Sequence, residues 1–213
     1  MFTGIIQGIA KVIDIKKIDT CYIYVMHFPN VLLTGLNLGA SVANNGCCLT
    51  VTNIEKNYVS FMLIKETLNL TNLGELKIGD MVNIERAAKL SDEIGGHLMS
   101  GHIVTTATIS KIKNSINNKE VWFELLDKKQ MKYILHKGFI GIDGISLTVS
   151  NIYNKGLCVN LIPETLKRTS LGMKTIADKV NIEIDSYTQA IIKTVESFLS
   201  QTNISMLTKN TFN

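Results

Sequence analysis

The sequence predicts an all-β protein made of two tandem homologous small antiparallel barrels and a C-terminal α-helix. Three observations predict this class: an internal repeat at an offset of 98 residues, short apolar segments at hairpin spacing within each copy, and a helix-like segment after the second copy. The chain has 213 residues, of which 46% are hydrophobic, so each copy is long and apolar enough to bury a core.

The repeat keeps its offset along the chain. Three pairs of segments share six of eleven, eight of twelve and six of eight residues, and these pairs are 44–54 with 142–152, 63–74 with 161–172, and 78–85 with 176–183. Residues 2–6 also align with residues 99–103, so each copy begins at its own glycine turn. A repeat this long exceeds a solenoid unit of about 20–50 residues, and each copy is therefore predicted to be a domain.

Each copy is predicted to consist of short strands and one helical turn. In the first copy, apolar segments broken by Gly, Asn and Asp predict strands at 8–15, 21–28, 41–54, 58–64 and 81–86. Residues 66–68 and 164–166 precede a glycine that can close a single helical turn. Several short antiparallel strands favour a closed or nearly closed barrel, because closure removes exposed edges.

Residues 187–206 have no counterpart between the two copies and predict the C-terminal helix. Five apolar residues follow helical spacing: Ile191, Ile192, Val195, Phe198 and Leu199. The stripe has two interpretations, packing against a barrel or association with the same helix of other subunits. The predicted organisation is therefore a barrel at 1–97, a barrel at 98–186 and a helix at 187–206.

Composition and spacing exclude several functional classes. The 22 basic and 18 acidic residues give a net charge of +4 without a run of like charge, which argues against a nucleic-acid partner. We expect no targeting leader and no membrane span. Four cysteines without paired spacing argue against a zinc or redox motif and favour a reduced, cytoplasmic protein. Cys47 is predicted to lie in the core, with Cys48 on the opposite face of its strand.

The two copies differ at a few polar positions, and these differences predict unequal chemistry. The first copy has Cys48 where the second has Ser146, and each is followed by a threonine on the same strand face, Thr50 or Thr148. Three further exceptions to the repeat are His102 in place of Ile5, Lys137 in place of Gly39, and Asp185 in place of Ala87. Gathered at the mouth of the second barrel, these groups could support proton transfer.

Structural interpretations remain open for several of these residues. Asp185 also fits a charged strand end in water, and the two threonines also fit β-branched strand formers. His27, His97 and His136 are predicted to be surface or packing residues. His97 and His102 have no third ligand nearby, so no metal site is predicted.

Five segments carry a family resemblance: MFTGII, NGCCLTVT, GGHLMSGH, GIDGISLTV and IPETL. Through them, the chain resembles riboflavin synthases of the alpha-subunit type from residue 1 to about residue 198. The resemblance implies Greek-key barrels, a homotrimer with the C-terminal helices at its centre, and a reaction that needs no cofactor. In that reaction two molecules of 6,7-dimethyl-8-ribityllumazine exchange a four-carbon unit, which gives riboflavin and 5-amino-6-ribitylamino-pyrimidinedione.

The resemblance also implies that each site holds two lumazines, one on the first barrel of a subunit and one on the second barrel of a neighbour. The first pocket would use Phe2, Gly4, Ile5, Ile6, Cys48, Leu49, Thr50, Met62, Leu63, Ile64, Lys65, Glu66 and Thr67. The second would use Gly101, His102, Ile103, Lys137, Ser146, Leu147, Thr148, Ile162, Pro163, Glu164, Thr165, Leu166 and Lys167.

The implied catalytic residues are Cys48, His102, Ser146, Thr148 and Asp185. His102 and the two hydroxyls would relay a proton, while Cys48 or water would act as the nucleophile. Many relatives carry an acidic residue at the position of Met62, so the role of this side chain stays open. Association with lumazine synthase also stays open, and the alternative function is a non-catalytic lumazine- or flavin-binding protein of the same fold.

Overall fold

The computed structural model describes residues 1–116 and 118–201. The first unit contains six strands within this range: β1 (Gly8–Ile18), β2 (Cys21–His27), β3 (Ser41–Asn44), β4 (Cys47–Glu55), β5 (Tyr58–Leu63) and β6 (Met81–Arg86). Helix α1 (Lys65–Leu70) follows β5, where the sequence predicts a helical turn.

The second unit repeats this order within the described residues. Its strands are β7 (Thr105–Asn114), β8 (Lys119–Leu125), β9 (Phe139–Ile142), β10 (Ile145–Tyr153), β11 (Gly156–Leu161) and β12 (Lys179–Ile184), with helix α2 (Pro163–Arg168) after β11. Helix α3 (Ser186–Gln201) ends the described chain. Residues 202–206 of the predicted helix lie outside the described residues.

Both units are closed antiparallel barrels with the same strand order, β1-β2-β5-β4-β3-β6 and β7-β8-β11-β10-β9-β12. In each barrel the second strand pairs with the fifth rather than with the third, which is the crossover of a Greek key. Closure leaves no free sheet edge in either unit. The predicted fold class is confirmed.

The predicted strand at 41–54 is wrong in one respect, because it consists of two strands joined by a tight turn. Asn45 and Gly46 have φ angles of 45° and 80°, and Asp143 and Gly144 have 46° and 80°. Positive φ at both central residues defines the type I′ turn that matches the twist of a hairpin, and Asn-Gly and Asp-Gly favour it. The opening dipeptides of the repeated motif therefore form the hairpin that presents β4 or β10.

Each barrel interior is filled with apolar side chains. Leu49 and Val51 of β4 lie in the core of the first barrel, and Leu147 and Val149 of β10 lie in the core of the second. The strand alternation turns the residues between them outward. The polar residues Cys48, Thr50, Ser146 and Thr148 therefore lie on the outer faces of their strands rather than inside the barrels.

Cys47 confirms its predicted structural role. Its side chain belongs to the core of the first barrel and is 8% exposed. Burial is the main cause that raises the pKa of its thiol to about 12, with Cys48 and Glu183 adding to the rise. Cys47 is thus an inert apolar residue at neutral pH, and Cys48 is the cysteine that faces outward.

The two barrels meet through a buried polar network around their hairpin turns. A Cβ on Gly46 would lie 2.6 Å from the backbone nitrogen of Gly144, so the two turns are in direct contact. The side-chain amide of Asn83 donates to the backbone carbonyl of Asp143, and the side-chain amide of Asn181 donates to the backbone carbonyl of Asn45, each at 2.9 Å. These two bonds are equivalent in the repeat, so the hairpin turn of each barrel is held by an asparagine of the other barrel.

Candidate functional site

Two turns, at Gly4 and at Gly101, cross between the barrels. Each of them contacts the strand of the opposite barrel that carries the polar residues, β4 or β10, and these two strands are called the chemical strands below. Phe2 and Met99 form an antiparallel bridge at the crossing. The Ser146 amide then donates to the Gly4 carbonyl, and the Cys48 amide donates to the Gly101 carbonyl, each at 2.9 Å. The opening turn of each copy therefore extends the outer face of the other barrel.

This crossing corrects the sequence-based grouping of the turns. Gly4, Ile5 and Ile6 were expected with the first barrel, but Ile6 packs against the core of the second barrel. Ile103 was expected with the second barrel but lies in the core of the first. The repeat shows which residues are equivalent, but it contains no information about which barrel a crossing segment joins.

The first face is formed around Cys48 and Thr50 of β4. Cys48 is partly buried and packs against a small cluster of Phe2, Ala43 and Met99 between the barrels. Phe2 is 1% exposed, so it supports this face from beneath. The turn that contains His102 lies beside Cys48 through the Gly101 bond, and the His102 side chain is exposed to solvent. The first face therefore combines a thiol and a hydroxyl of β4 with the turn of the second copy that carries His102.

The second face is formed around Ser146 and Thr148 of β10. Nδ1 of His97 lies 2.7 Å from Oγ of Ser146, and the hydroxyl is the donor when Nδ1 carries no proton. The His97 ring stacks on Phe139 with centroids 5.0 Å apart and an interplanar angle of 14°. This packing holds the imidazole in one orientation beside Ser146. The imidazole in contact with Ser146 is thus His97, whereas the backbone turn that carries His102 is bonded to Cys48.

The protonation of His97 is set by its surroundings. Burial lowers the pKa of His97, and the nearby Asp185 carboxylate partly opposes this shift. The imidazole is therefore neutral near pH 7 and able to accept a proton. Burial pushes the pKa of Asp185 up, but hydrogen bonds from Thr188 and the charge of His97 outweigh it and hold this pKa below its ordinary value.

Asp185 also has a structural task. Its Oδ2 accepts hydrogen bonds from the backbone nitrogen of Thr188 at 2.9 Å and from its hydroxyl at 2.6 Å. This is the side-chain cap of a helix N-terminus, and it fixes the start of α3. Asp185 thus connects the second face with the C-terminal helix, and it is not the solvated strand end that was one interpretation of the sequence.

Lys137 stands beside the second face in a strained backbone conformation. Its φ is 63°, and its amide donates to the Val149 carbonyl at 2.9 Å, as the amide of Gly39 does to Val51 in the first barrel. Gly39 has a φ of 80°. The left-handed region disfavours any residue with a Cβ, so a lysine here is retained at a cost in stability.

Lys137→Gly is accordingly expected to stabilise the protein while weakening its function. Removing the Cβ from this left-handed position should raise the free energy of unfolding by about 1 kcal/mol. Losing the ammonium should lower turnover, because no other residue of β9 or β10 supplies a cation to this face within the described chain. Urea unfolding and steady-state kinetics measure the two effects, and a variant that is both less stable and fully active would contradict this assignment.

The remaining implied pocket residues divide into three groups. Leu49, Leu63 and Leu147 are buried in the barrel cores and shape the strands from within. Met62, Ile64 and Ile162 are 49%, 53% and 59% exposed, respectively, and form apolar edges beside the two faces. The other members lie at or near the starts of α1 and α2, and they are Lys65, Glu66, Thr67, Pro163, Glu164, Thr165, Leu166 and Lys167. Apolar edges around a few polar groups are typical of a small-molecule site.

His97 is the functional residue that the sequence reasoning missed. Its position precedes the repeated block, so it has no counterpart in the first copy, and comparison of the copies could not single it out. The available signal was its place directly after Gly95-Gly96 and shortly before the second opening turn. A flexible pair of glycines followed by a histidine allows the side chain to reach back to a neighbouring strand.

Residues 1–116 and 118–201 contain no group of three or more His, Cys, Asp or Glu side chains placed to hold a metal ion. In the same part of the chain, no helix has the length and apolar character needed to cross a membrane.

The fold and the two faces define a class of protein: a tandem-duplicated double barrel whose two equivalent outer faces carry different polar groups. Comparison with known proteins then identifies the family. The family model described as "Lumazine binding domain" matches twice, at residues 3–87 and 100–185. With this duplicated domain and the relatives described next, the chain belongs to the riboflavin synthase family.

Relatives match along nearly the whole chain. Riboflavin synthase of Escherichia coli (strain K12) is 60% identical over 200 residues, which cover 94% of each protein. Riboflavin synthase of Buchnera aphidicola subsp. Schizaphis graminum is 51% identical over 209 residues, covering 98% of this chain and 100% of the relative. The crystal structure of LumP complexed with riboflavin matches with a TM-score of 0.82 and 28% identity, covering 87% of this chain and 100% of that one.

Proposed function

We propose that this protein is a riboflavin synthase, which catalyses the dismutation of two molecules of 6,7-dimethyl-8-ribityllumazine. One molecule gives up a four-carbon unit and leaves as 5-amino-6-ribitylamino-pyrimidinedione, and the other becomes riboflavin. The observation that carries the proposal is the 60% identity to a riboflavin synthase over 94% of both chains, with both barrels included. The two unequal faces support it, since two identical molecules must play different parts.

The residues of the two faces suggest how the work is divided. On the second face, Ser146 with the neutral His97 beside it is placed to move a proton from the 7-methyl group of a bound lumazine, with Thr148 and Asp185 as neighbours. On the first face, Cys48 or a water molecule would add to carbon 7 of the other lumazine, with His102 nearby. Holding the two molecules in register can contribute about 7–11 kcal/mol to lowering the barrier.

The proposal includes a homotrimer in which the first barrel of one subunit faces the second barrel of the next. Helix α3 supports self-association, because Ile191, Val195 and Leu199 leave an apolar seam that is 64%, 51% and 48% exposed in the single chain. A cytoplasmic location is supported by four free cysteines, all within the described residues. Association of the trimer with lumazine synthase is left open by the proposal and can be tested by co-purification.

The decisive experiment incubates the purified protein with the lumazine alone and follows riboflavin by its absorbance and fluorescence. We expect riboflavin and the pyrimidinedione to appear in equal amounts without any added cofactor. The non-catalytic alternative has one supporting observation, the structural similarity to LumP complexed with 6,7-dimethyl-8-(1'-D-ribityl) lumazine at a TM-score of 0.80. Tight lumazine binding without product would favour that alternative and overturn the proposal.

A further inference from the structure

Two buried glutamates occupy equivalent places in the repeat and have no part in the proposed chemistry. Glu85 of β6 and Glu183 of β12 are each 2% exposed. Neighbouring residues Ile84 and Ile182 point into the barrel cores, so the alternation of the strand turns both carboxylates to the outer face. There, each carboxylate is covered by one of the crossing turns.

The contacts of the two carboxylates are nearly identical. Glu85 Oε1 accepts from the Thr3 backbone nitrogen at 2.6 Å and from its hydroxyl at 2.8 Å, and Oε2 accepts from the Gly4 nitrogen at 3.0 Å. Glu183 Oε1 accepts from the Ser100 nitrogen at 2.6 Å and from its hydroxyl at 2.8 Å, and Oε2 accepts from the Gly101 nitrogen at 3.1 Å. Each carboxylate therefore fixes the position of one glycine turn.

The same turns continue into the chemical strand of the opposite barrel. The Gly4 carbonyl, held by Glu85 of the first barrel, accepts from the Ser146 amide of the second. The Gly101 carbonyl, held by Glu183 of the second barrel, accepts from the Cys48 amide of the first. Each turn packs closely against its chemical strand. A Cβ added to Gly4 would lie 2.5 Å from the Cβ of Ser146, and a Cβ added to Gly101 would lie 2.6 Å from the Cβ of Cys48.

We propose that Glu85 and Glu183 are positioning residues that act across the boundary between the barrels, each setting the chemical strand of the other barrel through a crossing turn. Glu85 positions Ser146, and Glu183 positions Cys48. The reciprocal arrangement makes the geometry of each face depend on both barrels, so neither barrel alone would hold its chemical strand in the same place. The catalytic part of this inference rests on the proposed function, but the structural part does not.

The electrostatics fit this role. Burial raises the pKa of both carboxyls, and the hydrogen bonds donated by the turns oppose the rise. Every hydrogen bond of each carboxylate comes from a donor, three at Glu85 and four at Glu183, so the ionised form matches the geometry. A glutamine would keep one oxygen for Thr3 or Ser100 but would turn its amide group toward the glycine nitrogen, where two donors would face each other.

The test measures amide hydrogen exchange by NMR in Glu85→Gln and Glu183→Gln, which serve as controls for each other. We expect Glu183→Gln to raise the exchange rate of the Cys48 amide at least about tenfold and to leave Ser146 within about twofold, and Glu85→Gln to do the reverse. Glu124→Gln, on an exposed position of β8, should change neither. If either glutamine variant fails to fold, Thr3→Val removes the hydroxyl bond to Glu85, and Ser100→Ala removes the hydroxyl bond to Glu183 together with the bond that the His102 nitrogen donates to this hydroxyl. Both should give the same crossed pattern with smaller increases.

An effect confined to the chemical strand of the same barrel, an equal effect on both strands, or no effect on either would overturn the proposal. Because exchange is measured without substrate, this outcome is independent of whether the chain makes riboflavin. With the lumazine present, both glutamine variants should lower kcat about tenfold more than they raise KM, as expected when the reacting groups are misplaced in bound substrate. A rise in KM alone would contradict a positioning role.

Discussion

Gly101→Ala is expected to lower the free energy of unfolding by about 2–4 kcal/mol. Gly101 has a φ of 82°, where a Cβ is disfavoured. The added Cβ would also lie 2.6 Å from the Cβ of Cys48 and 3.0 Å from its backbone nitrogen, neither of which can swing aside as the end of a flexible side chain could. Thermal unfolding should show a decrease in Tm of about 10 °C.

The first barrel offers a matched control for this substitution. Gly39 has nearly the same φ, 80°, but no atom lies within 4 Å of its added Cβ. Gly39→Ala should therefore report the backbone strain alone and cost about 1 kcal/mol. Equal losses in the two variants would show that the close contact between the crossing turn and Cys48 contributes nothing to stability.

His97→Gln is expected to lower kcat for riboflavin formation about a hundredfold with little change in KM. A glutamine can keep a hydrogen bond to Ser146, but it cannot accept a proton at neutral pH. In the unchanged protein, activity should fall on the acidic side at a pH below the ordinary titration range of histidine, because burial lowers the pKa of His97. This decrease on the acidic side of the pH–rate profile, its acidic limb, should be absent from the residual activity of His97→Gln.

Two measurements distinguish the loss of a catalytic base from a loss of structure in His97→Gln. His136→Gln, at an exposed position of the same barrel, should leave kcat unchanged. Because the pKa of His97 is lower in the folded than in the unfolded chain, stability should fall as the pH drops through the unfolded value of about 6.5. His97→Gln should remove this part of the decrease, and a variant that keeps both the acidic limb and full turnover would show that His97 is not the base.

The fold could be predicted well from the sequence because the chain contains two copies of the same barrel sequence. Each copy has the same alternation of apolar and polar residues, so each predicts the same barrel independently of the other. Asn45-Gly46 and Asp143-Gly144 each specify a hairpin through local backbone preferences. The burial of Cys47 and the outward direction of Cys48 also followed from strand alternation alone. Such properties depend on residues close in sequence.

The pairing of the turns with the barrels could not be predicted in this way. Gly4 belongs to the first copy but bonds to Ser146 of the second, which is a tertiary relation across 142 positions. Residues Glu85 and Glu183 carried a usable signal, since an acidic residue follows the same Val-Asn-Ile sequence in the last strand of both copies. His97 carried none within the repeat, because its equivalent position precedes residue 1.

The central claim is that one reaction needs the Cys48 face of one subunit and the Ser146 face of another. It is tested most directly by co-producing Cys48→Ala and Ser146→Ala chains with different tags and isolating the mixed trimers. In any mixed trimer, one of the three interfaces joins an intact first barrel to an intact second barrel. We predict that each variant alone is nearly inactive and that mixed trimers recover about a third of the unchanged activity. Mixed trimers with no more activity than the two single variants would contradict the claim.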